Sequence, residues 1–570
     1  MAGQHAGRHH RDPFQGRPRR CPCAARRGAI PDRGAACPLS PVCPRADHRL
    51  VCGSSRASGR PRHHVQAVTR DGASPGSRSP TAAPDPVRRQ TDDLPLNGRK
   101  GHEARRVVPA GPETRGGYKN AGVDRIVNVL AVDLGGQAAR AIVFDRAGVP
   151  VAEAMAPIDT THPRDGWVEH DPEQVLGALR EAIDGVATAG IVAAAGLATQ
   201  RSSVVCWDRT DGAALSPVIS WQDRRGADQI ASFADQADAV RAATGLVLSP
   251  HYGASKLRWC LDNLPAVRSA CEDGTLAFGP IASFVMFRLL TERPLLIDPA
   301  NASRTQLWDF RTRDWSPSLL ELFDVPRSPL PECVPNRHAY GHLSKVPLTV
   351  CTGDQSAALF ARGAPDPRAA WVNIGTGAFV QRPAGDRPAE IPGLLSSVVW
   401  QDAISTSYVA EGTVNGAAAA IDRVEPAWLD DDAEPPLYLN GVGGLGSPWW
   451  KPHFESRFVG DGNPSLKAVA VVESIVFMLA VNIDLIGAAS VTVSGGLSQL
   501  DGLCSRLADV TGLVVERPVV HEATARGLAW LVAGRPSSWR DPGDPTVFEP
   551  ADNPALKSRF ARWRAAMPAV

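Results

Sequence analysis

The amino-acid sequence predicts an α/β protein with two related domains that face one another across a cleft, preceded by a disordered extension. Three observations lead to this prediction. The chain has 570 residues, 43% of them hydrophobic, which is enough for two or more domains with separate cores. A strand, a glycine turn and a second strand occur twice, near residue 135 and near residue 375. The start of the chain shows no periodic apolar pattern.

Residues 1–123 are dense in Arg, Pro, Gly, Ala, Ser and His, a composition that cannot bury enough apolar surface to order itself. We expect this segment to be disordered, and it lacks the apolar core of a secretory signal. A zinc site is a second interpretation, but its cysteines and histidines match no standard ligand spacing. A third is a shorter natural start at a non-methionine codon such as Val123 or Val127, because the next methionine, Met155, follows the opening hairpin.

The composition argues against several classes of partner. Lys plus Arg number 61 and Asp plus Glu number 60, so there is no global electrostatic reason to expect a nucleic acid or a membrane. The most apolar stretch, residues 471–489, contains Glu473 and Asp484, and we expect a buried helix there. Six cysteines after residue 200 are scattered among apolar residues, which indicates reduced thiols and a cytoplasmic protein. A homo-oligomer is compatible with the sequence.

The first domain is predicted at residues 124–347. Three β-rich runs at its start, the second and third joined by a DRAG turn, predict an antiparallel meander. A helix follows, with Asp171 as N-cap, Pro172 at its first position and Gly190 as its stop. The next strand runs directly into Gln200 and Arg201, and polar residues at a strand end of an α/β sheet indicate a site.

The second domain is predicted at residues 348–536, with a tail at residues 537–570. The plan of the first domain starts again here, with the hairpin AAWVNIGTGAFVQRPAG and a long apolar helix before the strand SVTVSGGLSQL. Two glycine hairpins, each between β runs, indicate related domains. The boundary is expected near Lys345 to Val350, and the cleft between the domains is the natural binding place.

Two glycine motifs have the composition of nucleotide-binding turns. In NIGTGAF, backbone N–H groups around Gly375 and Gly377 and the hydroxyl of Thr376 can converge on phosphate oxygens, although an ordinary turn is the alternative. In SGGLSQL, Gly495 and Gly496 follow a strand and would let a flat base or ribose approach the backbone closely.

The motif TGDQSAA places Asp354 at the junction of a strand and a helix. A carboxylate in this position can cap the helix through its N–H groups. It can also accept the proton of a hydroxyl group whose oxygen attacks a phosphoryl group. The residues alone leave both roles open.

Taken in chain order, these motifs resemble the FGGY carbohydrate kinases, most closely the glycerol kinase-like members. The resemblance runs from about Val127 to Gly534, and WQDRR and NASRT are specific to the glycerol kinase-like branch. The matching segments are GWVEHDPEQV, ATQRSS, ISWQDRR, SKLRWCLDN, NASRTQLWDF, GDQSAALF, NIGTGAF, VGGLGSPWW and residues 516–534.

The resemblance implies two actin-like, ribonuclease H-like domains that close over ATP, Mg²⁺ and a small polyol or sugar. Asp133 would help to hold Mg²⁺, the turn after it would cover the phosphates, and Arg140 would support that turn. The remaining nucleotide contacts implied are Gly135, Gly136, Gln137, Gly375, Thr376, Gly377, Gly495 and Gly496. Asp354 would be the catalytic base. The residues implied to bind the acceptor are Gln200, Arg201, Ser202, Trp221, His251, Asp354 and Gln355.

The first turn departs from the family pattern. Family members have DQGTTSSR where this chain has DLGGQAAR, so Gly136 and Gln137 replace two threonines and Ala138 and Ala139 replace two serines. A lost charge-assisted hydrogen bond is worth roughly 1.5–3 kcal/mol, so phosphate binding at this turn could weaken more than tenfold unless Gln137 compensates.

The acceptor pocket departs as well. Ser202 stands where glycerol kinases have a glutamate, and His251, followed by Tyr252, stands at the position of a tyrosine. Discrimination among hydroxylated substrates depends on such polar partners. Glycerol is therefore the first candidate acceptor, with erythritol, ribulose or xylulose as alternatives. A nucleotide-binding sensor of the same fold that has lost turnover is a candidate from a different class, although the presence of Asp133 and Asp354 favours an enzyme.

Overall fold

The computed structural model describes residues 128–421, 424–430, 434–520, 522–539 and 543–569. The extension predicted to be disordered, residues 1–123, lies outside the described residues. Two large mixed sheets form the centre of the described part, and each contributes to its own hydrophobic core. The two sheets are built to the same plan.

The first sheet begins with the predicted antiparallel meander. Across the sheet its six strands are Arg337–Leu343, Val346–Gly353, Val192–Thr199, Asn128–Leu134, Ala138–Phe144 and Pro150–Pro157. Val192–Thr199 runs parallel to Asn128–Leu134, and Val346–Gly353 runs parallel to Val192–Thr199. The predicted domain boundary between residues 347 and 348 falls inside Val346–Gly353, which is a strand of this first sheet.

The second sheet repeats that order of antiparallel and parallel pairs. Across the sheet its seven strands are Leu395–Gln401, Thr406–Val414, Ala378–Gly385, Ala369–Ile374, Ser490–Ser494, Val515–Arg517 and Thr546–Phe548. Ala378–Gly385 is antiparallel to both of its neighbours, whereas Ser490–Ser494 runs parallel to Ala369–Ile374. The repeated plan confirms the prediction of two related α/β domains.

Smaller elements surround the two sheets. A four-stranded sheet contains Glu169–His170, Val218–Ile219, Val204–Asp208 and Leu276–Pro280. Two-stranded pairs are Trp308–Asp309 with Asp314–Trp315, Leu296–Ile297 with Glu332–Cys333, and Leu437–Leu439 with Arg457–Val459. The α-helices of the described residues are Pro172–Gly185, Ala227–Ala231, Ala237–Thr244, Gly253–Asn263, Pro265–Glu272, Ile281–Leu289, Pro299–Ala302, Pro317–Phe323, Asp354–Ala358, Pro464–Ile486, Asp501–Thr511, Ala523–Val532 and Pro554–Ala566.

The helix Pro172–Gly185 begins as predicted but ends earlier. The carboxylate of Asp171 accepts hydrogen bonds from the backbone N–H groups of Glu173 and Gln174, which confirms the N-cap. The predicted stop at Gly190 is wrong, because the helix ends at Gly185. Residues 186–189 instead form short turns, in which backbone N–H groups bond to carbonyls three residues earlier. Gly190, at φ +92°, ends these turns and not the helix.

The helix Ala523–Val532 packs against the first sheet although it comes from the end of the second half of the chain. It contacts Asn128–Leu134 and Val192–Thr199 and lies against the short helix Asp354–Ala358. A Cβ atom at Gly527 would lie 1.9 Å from the backbone oxygen of Ala357, so only glycine permits this approach. The helix thereby connects the two halves of the chain through one apolar cluster.

The helix Pro464–Ile486 forms the core of the second half. By length and composition it could cross a membrane. However, 83% of its most apolar 18-residue stretch is buried inside the protein, which agrees with the predicted buried helix. The C-terminal helix packs on it through Trp563, which contacts Phe477. Arg559 donates two hydrogen bonds to the buried carboxylate of Glu473, at 2.8 and 2.6 Å. A buried ion pair therefore fixes the end of the chain to this core.

Replacing Arg559 by methionine should destabilise the protein strongly, because Glu473 would lose its closest charge partner inside the core. Removing one partner of a buried pair costs about 3–5 kcal/mol of unfolding free energy, and we expect the lower end because Arg506 remains 3.5 Å away. Chemical denaturation measures the change. Arg562→Met is the control: that arginine pairs with Glu434 on the exposed surface, where such a pair contributes about 0–1 kcal/mol. Equal effects of the two substitutions would contradict the prediction.

Candidate active site

Two neighbouring cavities lie where the parallel strands of the two sheets end. Asp133, Arg201 and Asp354 are placed by the carboxyl ends of strands of the first sheet, and Asn373 and Gly495 by those of the second. The carboxyl edge of parallel strands is the usual binding place in α/β proteins. We call the cavities the glycine-lined cavity and the aromatic cavity.

The glycine-lined cavity has a volume of about 390 Å³ and lies between the two sheets. Its walls include Asp133, Arg140, Gly495 and Gly496, four of the residues predicted to bind nucleotide or metal. Gly495 has φ +86°, and a Cβ atom there would lie 2.5 Å from the side-chain oxygen of Asn373. Glycine at this position therefore lets the end of the strand Ala369–Ile374 lie close to this backbone, and the predicted approach of a flat base or ribose remains a prediction.

Asp133 is buried, and its Oδ1 atom has no hydrogen-bond partner. Burial, the neighbouring Asp354 carboxylate and, more weakly, Glu522 raise the pKa of Asp133 to about 8, against the opposing effect of Arg140. A cation beside this oxygen would favour the ionised form of the carboxyl group and lower its pKa. Within the described residues, no group of three or more His, Cys, Asp or Glu side chains is arranged so that it could hold a metal ion. The unpaired oxygen of Asp133 fits Mg²⁺, which needs only one or two carboxylates from a protein and otherwise keeps waters and phosphate oxygens as ligands.

Arg140 pairs with an acid from the second half of the chain, whereas the first turn is closed by its own backbone. The Arg140 guanidinium donates to the carboxylate of Glu522 at 2.7 Å, which ties the opening hairpin to the start of the helix Ala523–Val532. Gly135 closes the turn by donating to the carbonyl of Ala138 at 3.0 Å.

The tip of the first turn points towards the aromatic cavity. A Cβ atom at Gly136 would lie 3.6 Å from Gln200 Oε1 and 4.0 Å from Trp221 Nε1. Gln137 is exposed, and its carbonyl accepts from the backbone N–H of Ile158 at 2.8 Å. Neither Gly135, Gly136 nor Gln137 belongs to the wall of the glycine-lined cavity. None of the three lines the aromatic cavity either, so the predicted contacts of this turn with the nucleotide remain predictions.

The second hairpin turn is held by the segment that follows the strand Thr406–Val414. The carbonyl of Thr376 accepts from the N–H groups of Ala417 and Ala419, and the carbonyl of Gly375 accepts from that of Ala418. The N–H of Gly375 donates to the carbonyl of Gly377 at 2.9 Å. With its carbonyls directed to this segment, the turn leaves the hydroxyl of Thr376 exposed.

The aromatic cavity has a volume of about 320 Å³, and six of the seven predicted acceptor residues line it. These are Arg201, Ser202, Trp221, His251, Asp354 and Gln355. Gln200 is the exception. It is buried behind the wall, where its Oε1 atom accepts from the hydroxyl of Ser203 at 3.1 Å. That hydroxyl in turn accepts from the backbone N–H of Trp221 at 2.9 Å. Gln200 therefore supports the wall from behind.

Asp354 is the first residue of the helix Asp354–Ala358 and faces the aromatic cavity. One of its oxygens accepts from the backbone N–H of Gln355 at 2.7 Å and lies 3.9 Å from Nε of Arg201. Burial raises the pKa of Asp354, and Arg201 opposes that shift. Gln355 also joins the second hairpin, because its Oε1 atom accepts from Asn373 at 3.1 Å. The structure therefore places a carboxylate of increased basicity on the wall of the aromatic cavity.

His251 contributes a neutral hydrogen-bonding group. Its Nδ1 atom lies 3.2 Å from the backbone oxygen of Trp221, and since a carbonyl only accepts, Nδ1 carries the proton. Burial and then the Lys256 ammonium lower the pKa of His251 to about 4. The Nε2 atom therefore remains an acceptor near neutral pH.

The sequence predictions omitted a buried carboxylate behind the aromatic cavity. Glu411, on the strand Thr406–Val414 of the second sheet, pairs with Arg201 and Arg304, each at 3.0 Å. It also accepts from Gln381 at 2.8 Å. Burial alone would raise the pKa of Glu411, but the two guanidiniums outweigh it and lower the pKa to about 2. The signal in the sequence was a single acid within the otherwise apolar run SYVAEGTV.

Four further wall residues of the aromatic cavity were also omitted: Arg224, Tyr252, Arg304 and Phe379. Three of them occur inside motifs that resemble the family, WQDRR, NASRT and NIGTGAF, and the fourth adjoins His251. The ring of Phe379 lies 6.3 Å from that of Trp221, and the Arg201 guanidinium lies 5.8 Å from the Phe379 ring. An aromatic pair contributed by both halves of the chain thus closes one side of the cavity.

Two related α/β domains with an acid at each of two adjoining cavities define a two-domain phosphotransferase of ribonuclease H-like fold. The profile of the N-terminal domain of the FGGY family of carbohydrate kinases matches residues 128–371, and that of the C-terminal domain matches residues 370–534. The chain belongs to this family. It is therefore a phosphotransferase that acts on alcohol groups, and kinases of this family use ATP.

Individual relatives agree with this membership. The chain is 33% identical to a glycerol kinase of Ectopseudomonas mendocina over 445 residues, 71% of this chain and 89% of the relative. It is also 33% identical to a glycerol kinase of Burkholderia cenocepacia over 476 residues, 76% of this chain and 93% of the relative.

Solved structures share the fold. A crystal structure of Plasmodium falciparum glycerol kinase with ADP superimposes with a TM-score of 0.68 at 23% identity, covering 77% of this chain and 97% of that one. A ligand-bound xylulose kinase from Lactobacillus acidophilus also gives a TM-score of 0.68, at 19% identity, covering 77% of this chain and 98% of that one. The two-domain actin-like fold predicted from the resemblance is confirmed.

Replacing Glu411 by glutamine should destabilise the protein by about 3 kcal/mol or more, because Arg304 would lose its paired carboxylate and Arg201 would keep only Asp354, 3.9 Å from its Nε atom. A carboxyl group whose pKa is lower in the folded than in the unfolded protein stabilises the fold at pH values above its unfolded pKa, here 4.5. That contribution is lost as the pH falls towards the folded pKa of about 2. The stability difference between the two proteins should therefore be constant above pH 4.5 and shrink below it. Denaturant titrations at several pH values measure it.

Glu390→Gln is the matched control, because that exposed glutamate lies 3.5 Å from Arg311 and such pairs contribute little. A Glu411 variant as stable as the control at neutral pH would contradict the importance of this carboxylate.

Proposed function

We propose that this protein transfers the γ-phosphoryl group of ATP to a hydroxyl group of a small polyol or sugar, with glycerol as the first candidate. The observation that supports this most directly is a pair of acids, Asp133 buried and Asp354 partly buried. Asp133 borders the glycine-lined cavity and Asp354 borders the aromatic cavity, and the two carboxylates interact electrostatically. A phosphoryl group that moves from one cavity to the other would pass close to both.

In this proposal the glycine-lined cavity receives the nucleotide. Gly495 and Gly496 would lie against the adenosine, while Thr376 and Gly377 would meet the phosphates from the second hairpin. Asp133 would hold Mg²⁺ directly or through water, as its unpaired oxygen allows. When bound, Mg²⁺ neutralises charge on the phosphates. In the first turn the N–H of Gly135 already donates to Ala138, so the donors that could replace the missing hydroxyls are the backbone N–H groups of Gly136 and Gln137 and the side-chain amide of Gln137.

The aromatic cavity would receive the acceptor, and Asp354 would take the proton of the attacking hydroxyl. The raised pKa of Asp354 brings it nearer to the operating pH, which improves a general base. The Nη1 atom of Arg201 is buried without a partner and can donate to an acceptor hydroxyl. Gln355 and the Nε2 atom of His251 supply further polar contacts. Such a transfer depends mainly on positioning and electrostatics, so these groups are sufficient.

A larger acceptor is the second candidate, supported by Ser202 and by the size of the cavity. A volume of about 320 Å³ falls within the range of about 300–1,000 Å³ typical of pockets for drug-sized ligands, whereas glycerol is a three-carbon triol. With Ser202 in place of the glutamate of glycerol kinases, the pocket lacks one carboxylate that could bind a glycerol hydroxyl. Erythritol, ribulose and xylulose use more of this space, and xylulose is the substrate named for one of the similar structures. The relatives at 33% identity keep glycerol first.

A coupled assay of ADP release tests this function with glycerol, erythritol, ribitol, ribulose and xylulose as acceptors. We expect acceptor-dependent ADP formation that requires Mg²⁺, with the preferred acceptor giving the highest kcat/KM. Release no greater than the background ATPase rate with every acceptor, despite measurable ATP binding, would refute the kinase and favour the nucleotide-binding sensor.

Replacing Asp354 by alanine should reduce kcat by about 100-fold or more, because the attacking hydroxyl would lose its proton acceptor. ATP affinity should change little, since Asp354 lies on the wall of the aromatic cavity. Steady-state kinetics and calorimetric ATP titrations separate the two effects. Asp386→Ala, on the exposed surface of the second half, is the control and should leave both unchanged. A near-normal rate in the Asp354 variant would remove its assignment as the base.

A further inference from the structure

Lys256 is a fully buried lysine with an unusual set of partners. It lies on the helix Gly253–Asn263, and its Nζ atom donates to the backbone oxygens of Ser202, Ser220 and His251. The three distances are 3.2, 2.7 and 2.7 Å. An ammonium group has three N–H donors and no acceptor. Each donor of Lys256 therefore meets one carbonyl.

The three carbonyls belong to three separate loops. Ser202 follows the strand Val192–Thr199, Ser220 follows the strand Val218–Ile219, and His251 precedes the helix that carries Lys256. Each loop brings a residue to the wall of the aromatic cavity: Ser202, Trp221 and His251. Lys256 itself does not line the cavity. It therefore contacts the wall only through the backbone behind it.

The shape of the cavity wall depends on how these three loops are held. Ser202 has φ +65°, a left-handed conformation that a non-glycine residue adopts at a cost. The hydrogen bond between His251 Nδ1 and the Trp221 carbonyl spans two of the loops that Lys256 joins. If the loops separated, the orientation of the His251 ring and the place of the Trp221 indole would change together.

A simple role in stability explains this lysine poorly. Burial lowers the pKa of Lys256 to about 7, with Asp223 opposing and Arg225 adding to the shift, so the folded protein disfavours its charge. Buried charges are weak stabilising devices compared with apolar side chains of similar volume. What an apolar side chain cannot do is hold three carbonyls of different loops around one point.

We propose that Lys256 is a positioning residue for the acceptor, since its ammonium holds together the three loops that present Ser202, Trp221 and His251 to the aromatic cavity. The inference rests on the proposed function, because it takes this cavity as the place of the acceptor. It predicts a defect in acceptor binding that leaves nucleotide binding intact.

The test compares Lys256→Met, which keeps an unbranched side chain but no donor, with Lys256→Gln, which retains two N–H donors. With the acceptor that the wild-type protein prefers, KM should rise about tenfold or more for methionine and less for glutamine, because buried carbonyls lose their partners. The kcat should change less than KM, and calorimetric ADP affinity should stay near the wild-type value. Lys345→Met, at an exposed lysine in the turn between the strands Arg337–Leu343 and Val346–Gly353, is the control and should alter none of these quantities.

An acceptor KM equal to that of the wild type in a folded Lys256→Met protein would overturn the inference. Equal losses of acceptor and ADP affinity would also overturn it, because they indicate a general structural role. If the methionine variant does not fold, an unchanged KM in Lys256→Gln has the same meaning. Failure of the proposed function is separate, since the wild-type protein would then release no acceptor-dependent ADP before any variant is compared.

Discussion

The arrangement of the active-site cleft depends on one buried carboxylate. Glu411 comes from the second sheet, whereas Arg201 and Arg304, its two partners, come from the first half of the chain. None of the three charges could be buried alone, because an isolated ion in the interior costs several kcal/mol. The pairing sets where the two halves meet behind the aromatic cavity. It also directs Arg201 towards Asp354, whose basicity that guanidinium moderates.

Around this anchor the protein keeps several buried groups in states that are costly for stability. Asp133 has an unpaired oxygen and a raised pKa, Asp354 shares the raised pKa, and Lys256 is an ammonium in a fully buried position. Perturbed ionisable groups cluster at functional sites because chemistry requires them there. The surrounding scaffold compensates for them through apolar clusters and close approaches such as that of Gly527 to Ala357. The apolar packing of the scaffold thus offsets the free-energy cost of these charged and polar groups.

Local signals in the sequence were reliable where the physics is local. An aspartate before a proline at a helix start satisfies orphan N–H groups whatever surrounds it, and Asp171 does so. Gly190 was misread as a helix stop because a glycine in the left-handed region ends short turns as readily as helices. Six of the seven residues expected in the acceptor pocket line the aromatic cavity, and five of these occur in motifs whose order resembles the family. Gln200 occurs in such a motif too, yet its side chain supports the wall from behind.

By itself, the sequence determined the pattern of strands and helices, the duplicated plan and the chemical groups available to the cleft, because these follow from periodicity and residue type. The tertiary structure decided which of those groups meet. Glu411 lies more than two hundred residues from Arg201 along the chain, and the helix Ala523–Val532 packs on a strand that begins at Asn128. Such contacts arise only when two sheets close on one another. Their free energy depends on burial and pairing, which no short stretch of sequence contains.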